Sequence, residues 1–149
     1  MEKLEYKFKY DKYPVLQVKF IFNERETPFI DALLDSGGDF IVIPMPIAKY
    51  LELDLKKAGD VDTAGGVAKL YKANINMTIG NNSNSIKYEN LEIHVSGRND
   101  IPVLLGRKPI FEDYEIIFRN KTSELILRPA WWNNQKLFLK IHINYKYKN

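Results

Sequence analysis

The dominant local pattern of this sequence is alternation of apolar and polar side chains. In residues 16–22, apolar side chains occupy every second position, and polar side chains fill two of the three positions between them. This period of two is typical of a half-buried β-strand. A polar turn at residues 23–26 leads to a second apolar segment, so we predict a hairpin over residues 15–34. Further strands are predicted at residues 40–43, 70–79, 86–95, 101–105, 114–118 and 124–128.

Helical signal is confined to two short segments. Pro46 suits the first turn of a helix, where its missing N–H would be unpaired anyway, and apolar side chains follow on one side of that helix. Residues 107–113 form the second candidate. The sequence shows no internal repeat and no linker long enough to separate two domains. We therefore predict a mainly β chain, a single domain over residues 1–149, with one or two short helices.

Both ends of the chain also alternate. Tyr6, Phe8 and Tyr10 alternate with polar residues, and residues 139–148 repeat the pattern with lysines on the polar face. Such a strand must cover its apolar face, either within its own domain or on a second subunit. A third interpretation places the lysines on nucleic acid with tyrosines stacked on bases. Alternating lysine also protects a solvated strand edge, so packing is favoured and no nucleic-acid partner is expected.

Composition excludes several kinds of chemistry. The chain of 149 residues has no cysteine, so it has no thiol nucleophile, disulfide or cysteine-ligated metal. With two histidines, His94 and His142, and no glutamate spaced to join them, we expect neither a metal nor a cofactor. The net charge of +3 is mild. No segment approaches the ~20 apolar residues of a membrane span, and the N-terminus lacks an apolar signal, so we expect a cytoplasmic protein without a membrane partner.

One carboxylate lies where two apolar strands meet. The strand at residues 29–34 leads into Asp35-Ser36-Gly37-Gly38, and apolar sequence resumes at Phe40. A carboxylate at the end of a buried strand is costly unless it is paired or has a function. The two glycines let the backbone turn sharply and approach a ligand. Alone, the segment is equally compatible with a tight turn whose aspartate caps its own backbone.

A second segment favours the functional interpretation of this carboxylate over the self-capping turn. Leu104-Leu105-Gly106-Arg107 ends an apolar strand and precedes the second helix candidate. Together the two segments resemble the retroviral-type (retropepsin-like) aspartic proteases, in which Asp-Thr/Ser-Gly-Ala follows an apolar strand and a later apolar pair precedes Gly-Arg. Gly38 stands where that family usually has Ala, and Lys108 where it commonly has Asn or Asp. The resemblance covers about residues 15–119 and implies a retropepsin-like closed β-barrel, which residues 120–149 extend as a C-terminal β segment.

The resemblance implies an aspartic endopeptidase acting on a peptide or protein substrate. Asp35 is similar to the catalytic aspartate, of which the family supplies one per chain of this size, so a homodimer with an Asp35 dyad is implied. Two carboxylates a hydrogen bond apart share one proton. One then activates a water while the other protonates the carbonyl oxygen. This mechanism needs no metal, cofactor or covalent intermediate.

Further roles follow from the same resemblance. Ser36 would hydrogen-bond across the dimer beneath the dyad, and Asp39 would touch the substrate backbone while Arg107 of the partner subunit holds it. As an ordinary exposed ion pair, the latter two would contribute at most about 1 kcal/mol. The hairpin predicted at residues 60–68 occupies the position of the family's flap. The implied site comprises loop support from Ser36, Gly37, Leu105 and Gly106, substrate binding by Gly38, Asp39, Ala64, Gly65 and Gly66, and dimer contacts by Ser36 and Arg107.

Two questions stay open at this stage. The chain could instead be a non-catalytic retropepsin-like module for dimerisation or peptide binding, because a fold does not dictate a function; the retained Asp-Ser-Gly and flap candidate favour the enzyme. The dimer sheet could be built by the strand after Asp113 or by the tail from Leu137. Trp131 and Trp132, whose side chains would point to opposite faces of a strand, have no assigned role.

Overall fold

The computed structural model describes residues 5–64 and 66–130, which form a mainly β chain with two short helices, as predicted, and a single 3₁₀ turn at Asn120–Thr122. The helix α1 spans Met45–Leu51, and a second, kinked helical segment spans Arg107–Phe111. The strands are β1 (Tyr6–Lys9), β2 (Val15–Phe22), β3 (Arg25–Glu26), β4 (Ile30–Leu34), β5 (Val42–Pro44), β6 (Lys56–Thr63), β7 (Gly66–Asn81), β8 (Asn84–Ser96), β9 (Val103–Leu105), β10 (Tyr114–Arg119) and β11 (Glu124–Pro129).

Six of the strands close into a barrel. Their order is β2-β4-β9-β5-β8-β7, and β7 pairs again with β2 to complete the circle. The β4–β9 and β5–β8 pairs are parallel, and the other pairs are antiparallel. Closure turns alternate side chains inward and leaves few open edges. The fully buried core includes Leu16, Val18, Phe20, Ala32, Ile43, Ile79, Ile93, Val95 and Leu105.

The predicted elements are present, with differences that have physical reasons. β2 and β4 form the predicted hairpin, and α1 begins with a proline in its first turn. β7 and β8 exceed their predicted lengths because cross-strand pairing continues beyond the segments whose side chains show a clear apolar pattern. β6 was not predicted as a strand because its sequence, KKAGDVDT, has little apolar content and it pairs only with β7.

A separate three-stranded antiparallel sheet, in the order β1-β11-β10, packs against the barrel. Leu125 and Leu127 of β11 are fully buried in the common core. The Asn84 side chain donates a hydrogen bond of 2.8 Å to the Lys7 carbonyl. The predicted N-terminal strand therefore packs on its own chain. Trp131, Trp132, His142 and the tail from Leu137 lie outside the described residues, and among the described residues no helix is long and apolar enough to cross a membrane.

Candidate active site

Asp35 emerges at the end of two parallel strands. β4 runs beside β9, with Leu34 opposite Leu105, and the Asp35 N–H donates to the Leu105 carbonyl at 2.9 Å. The carboxylate then turns back on its own loop, where Oδ1 accepts a hydrogen bond of 3.1 Å from the Gly37 N–H. One carboxylate oxygen is thus fixed by backbone. The same contact is the self-capping turn that the sequence left open as an alternative.

Gly38 borders the carboxylate directly. A Cβ added at Gly38 would lie 2.8 Å from Oδ2 of Asp35, whereas one at Gly37 would lie 3.4 Å from Oδ1. The usual alanine of the family would therefore press on the Asp35 side chain in this conformation. The departure from the family's pattern leaves room for the carboxylate to move.

The two sequence motifs meet in space. The Arg107 N–H donates to the Gly38 carbonyl at 2.8 Å, and the Lys108 N–H donates to the Asp39 carbonyl at 2.9 Å. Gly106 is buried beside this contact, and a Cβ there would lie 2.7 Å from the backbone nitrogen of Phe40. Residues 35–41, called here the Asp35 loop, are therefore held by the segment that follows β9.

Asp39 and Arg107 form an ion pair within one chain. The backbone contact just described brings the two residues side by side. Their side chains are 59% and 55% exposed, so the pair contributes about 1 kcal/mol or less to stability. Ser36 and Gly37 are exposed in the single chain.

The predicted hairpin is formed by β6 and β7. Thr63 lies opposite Gly66, which places Ala64 at the tip; Gly65 lies outside the described residues. Ala64 and Gly66 are exposed, and Gly66 has a φ of 109°, a conformation that favours glycine. β8 ends at Ser96, opposite Leu70, so the hairpin extends beyond the barrel wall.

Phe40 and His94 form a ring contact that was not predicted from the sequence. The two ring centroids lie 4.3 Å apart, and His94 is only 8% exposed. Burial lowers the pKa of His94, nearby Lys72 lowers it further, and Glu92 opposes both effects. The aromatic residue that follows Asp39, Phe40, was the only indication of this contact in the sequence. The contact itself depends on the parallel pairing of β5 with β8, which the sequence did not predict. Within residues 5–64 and 66–130, no cluster of three metal-ligating side chains exists.

The chain is similar to known proteins in sequence family and in fold. A family model described as Aspartyl protease matches residues 18–108, more than half of the chain and inclusive of both motifs. A retropepsin-like aspartic protease from Rickettsia conorii has a similar structure, with 21% identity over 85% of this chain and 100% of that chain and a TM-score of 0.62. The retroviral protease-like domain of Ddi1 from Leishmania major is 14% identical over 83% of this chain and 99% of its own, with a TM-score of 0.48.

A comparison with curated protein sequences gives no significant match. The Rickettsia conorii structure establishes the retropepsin-like fold predicted from the sequence. The family match covers the strand that leads to Asp35, the Asp35 loop and the Gly106-Arg107 contact behind it. The chain therefore belongs to the aspartyl protease family.

Proposed function

We propose that the protein is a homodimeric aspartic endopeptidase in which Asp35 of each subunit forms the catalytic dyad. The observation that carries the proposal is the Asp35 carboxylate itself, which projects from the end of paired strands with one oxygen fixed by the Gly37 N–H. Peptide hydrolysis by this chemistry needs two carboxylates. The other carboxylate of the Asp35 loop, Asp39, is engaged by Arg107. A second copy of the chain is therefore the natural source of the second catalytic aspartate.

The chemistry follows from the proximity of like charges. Two carboxylates within hydrogen-bond distance share one proton, because both cannot be ionised at once. The ionised member takes a proton from a water, whose oxygen attacks the peptide carbonyl, while the protonated member donates its proton to the carbonyl oxygen. The tetrahedral intermediate then breaks its C–N bond as a proton passes to the leaving amine. Rate would fall in more acidic and more alkaline solution, where the pair is fully protonated or fully ionised.

The surrounding groups would serve the same reaction. The Ser36 hydroxyl would join the two Asp35 loops beneath the dyad, and Asp39, held by Arg107, would bind the substrate backbone. Gly38 and the hairpin tip at Ala64, Gly65 and Gly66 would line and cover the substrate cleft. A covering hairpin excludes water from the reacting groups and opens to release product.

β10 is the strand that we propose for dimerisation. Among the described strands, it is an outer strand of its three-stranded sheet. It carries Phe118, which is 52% exposed. An outer strand that carries an exposed aromatic side chain is suited to pairing with another chain. Antiparallel pairing of β10 with its copy would create a two-fold symmetric interface.

The first test is cleavage of an unfolded protein substrate by wild type and by Asp35→Asn. We expect the wild type to cleave between about pH 4 and about pH 8, and the variant to lose about 10⁴-fold or more in kcat/KM. The isosteric substitution should preserve the unfolding midpoint and the mass in solution. A folded dimer that cleaves nothing at any pH would contradict the proposal and favour a non-catalytic binding module.

Ser36→Ala is the matched control, since it alters the neighbouring residue but leaves the carboxylate. We expect its cleavage rate to fall at low enzyme concentration, because the dimer is weakened, and to recover as the concentration rises. Asp35→Asn should show no such recovery. If the two variants behave alike, Asp35 would have a structural role and not a chemical one.

A further inference from the structure

We propose that His94 is a positioning residue, whose neutral ring packs on Phe40 and holds the Asp35 loop in the conformation that binds peptide, and that protonation of His94 releases the loop. The enzymatic part of this inference rests on the proposed function. The structural part concerns one ring contact behind the loop and stands independently of catalysis.

The contact is close and buried. The Phe40 and His94 centroids lie 4.3 Å apart with the rings tilted by 40°. The backbone N–H of His94 also donates to the Ile41 carbonyl at 2.8 Å, which joins the end of the Asp35 loop to β8 beside the ring contact. Aromatic pairs at this distance stabilise beyond the area that they bury. The imidazole therefore supports the loop from inside the barrel wall.

Phe40 transmits this support to the site. Its backbone is packed against Gly106, and its neighbour Asp39 is held by Arg107 and by the Lys108 N–H. Displacement of the Phe40 ring would therefore move the Asp39 backbone. Asp35 itself is fixed separately, through Leu105 and Gly37. Loss of the ring contact should thus weaken peptide binding more than it slows the chemical step.

The surroundings of His94 favour its neutral form. Among the described residues, no group hydrogen-bonds to its buried Nε2 atom. Lys72 lies opposite it on β7, Glu92 lies on its own strand, and Val42 is its apolar partner on β5. Lys108 reaches to 5.9 Å from the centre of the Phe40 ring. Of these charges only Glu92 favours the imidazolium, and Glu92 is already paired with Lys72 at 3.7 Å.

Protonation changes what the ring can tolerate. An imidazolium needs a partner for both N–H groups, and a buried N–H without a partner is costly. The charged ring should therefore turn towards solvent and Glu92, leaving Phe40 without its support. The pKa of His94 lies below its ordinary value of 6.5, so this change belongs to acidic solution.

Nuclear magnetic resonance tests the contact without any substrate. The His94 ring protons and the amides of Gly38 and Asp39 are followed as the full-length wild-type protein is acidified. We expect all of them to change with one common midpoint below 6.5. In the Phe40→Leu variant the loop amides should no longer follow the His94 titration. Loop amides that ignore the His94 midpoint in the wild type would overturn the inference.

Two surface substitutions should shift the common titration midpoint in opposite directions. Lys72→Gln removes a cation that disfavours the imidazolium, so the common midpoint should rise. Glu92→Gln removes the favourable anion, so the midpoint should fall. Both side chains are about half exposed, so neither change should prevent folding or alter cleavage at neutral pH. Midpoints that shift in the same direction would overturn the assignment to His94.

Kinetics at neutral pH supply the enzymatic readout. His94→Ala should raise KM about fivefold, equivalent to about 1 kcal/mol, with little change in kcat. In the wild type, KM should rise in acid as His94 becomes protonated. His94→Phe keeps a ring but cannot be protonated, so it should restore the wild-type KM at neutral pH and show no rise in acid. A folded His94→Ala variant with wild-type KM would overturn the inference. If the wild type cleaves nothing, the proposed function fails, and the resonance experiments still decide whether His94 positions the loop.

Discussion

At the scale of single residues, Gly106 lets two distant parts of the chain lie in contact. Its missing side chain admits the backbone of Phe40, and the hydrogen bonds from Arg107 and Lys108 to the Asp35 loop require that approach. The atoms that a side chain would meet are backbone atoms, which cannot rotate away. The requirement for glycine is therefore steric, and it arises from packing and not from an unusual backbone angle.

We expect Gly106→Ala to lower the free energy of unfolding by about 1–3 kcal/mol, because the added methyl group overpacks the contact with Phe40. Urea denaturation measures the change. Gly97→Ala is the control, since its Cβ would come no nearer than 3.3 Å to the Lys69 carbonyl oxygen, and its loss should be smaller. Equal losses in the two variants would show that the Gly106 contact has room to relax.

Some of the residues of the candidate site could be predicted from the sequence and others could not, for a physical reason. Asp35, Gly37 and Gly106 belong to short motifs whose composition is unusual within apolar strands, so they were recognisable. His94 lies in a strand of ordinary alternation. Its importance depends on Phe40, and the two meet only because β5 pairs with β8 in one particular register.

At the scale of elements, one hydrogen bond joins the barrel to the segment that leads into the outer sheet. The Tyr88 hydroxyl on β8 donates to Asp113, just before β10, at 2.8 Å. Burial raises the pKa of Tyr88 above its ordinary value of 10.0, and the hydrogen bond and charge of Asp113 raise it further. Folding therefore keeps the Tyr88 proton in solutions where the unfolded chain releases it.

We expect Tyr88→Phe to cost about 1 kcal/mol, which lowers the melting temperature by roughly 2–4 °C near neutral pH. Above about pH 10 the unfolded wild-type chain gains stability by ionising Tyr88, so the advantage of wild type over the variant should shrink. Denaturant titrations from about pH 8 to about pH 11 measure the free energy of unfolding of both proteins. Groups that titrate equally in the two proteins cancel when one free energy is subtracted from the other. A difference that stays constant or widens with pH would contradict the role assigned to the buried phenol.

Elements were predictable where burial imposes a pattern. β2 and β4 alternate because one face of each lies in the core, β11 carries a continuous apolar run that is fully buried, and α1 was indicated by its early proline. β6 has no buried face to reveal it, since its hydrogen bonds go to β7 alone and both faces of the hairpin are largely solvated. The segment was identified only as a glycine-containing turn in the position of a flap.

At the scale of the whole molecule, the strand pattern predicted a mainly β chain, and the closed barrel was predicted through the resemblance of the two motifs to the retropepsin-like proteases. The assembly was not predictable to the same degree. An edge strand that binds a second copy and one that is merely solvated show the same alternation in sequence. Among the described residues, β11 is the central strand of that sheet and β1 and β10 are its two outer strands, of which β10 carries the exposed Phe118.

The proposed use of β10 makes a final prediction about assembly. Phe118→Lys should raise the dimer dissociation constant by about tenfold or more, because it places a charge in a surface that becomes desolvated on pairing. Sedimentation at a series of concentrations measures the change. Cleavage should fall in parallel at low enzyme concentration and recover at high concentration, since the chemistry needs both copies of Asp35.

Tyr50→Lys is the matched control for this test. Tyr50 is 55% exposed, close to the 52% of Phe118, but it lies on α1, which packs against β5 and β8. The same change in charge there should leave the dimer intact, so a specific effect of Phe118→Lys would locate the interface. If Phe118→Lys leaves both the dimer and its activity unchanged, β10 is not the dimerisation strand, and the tail from Leu137 becomes the surface to truncate next.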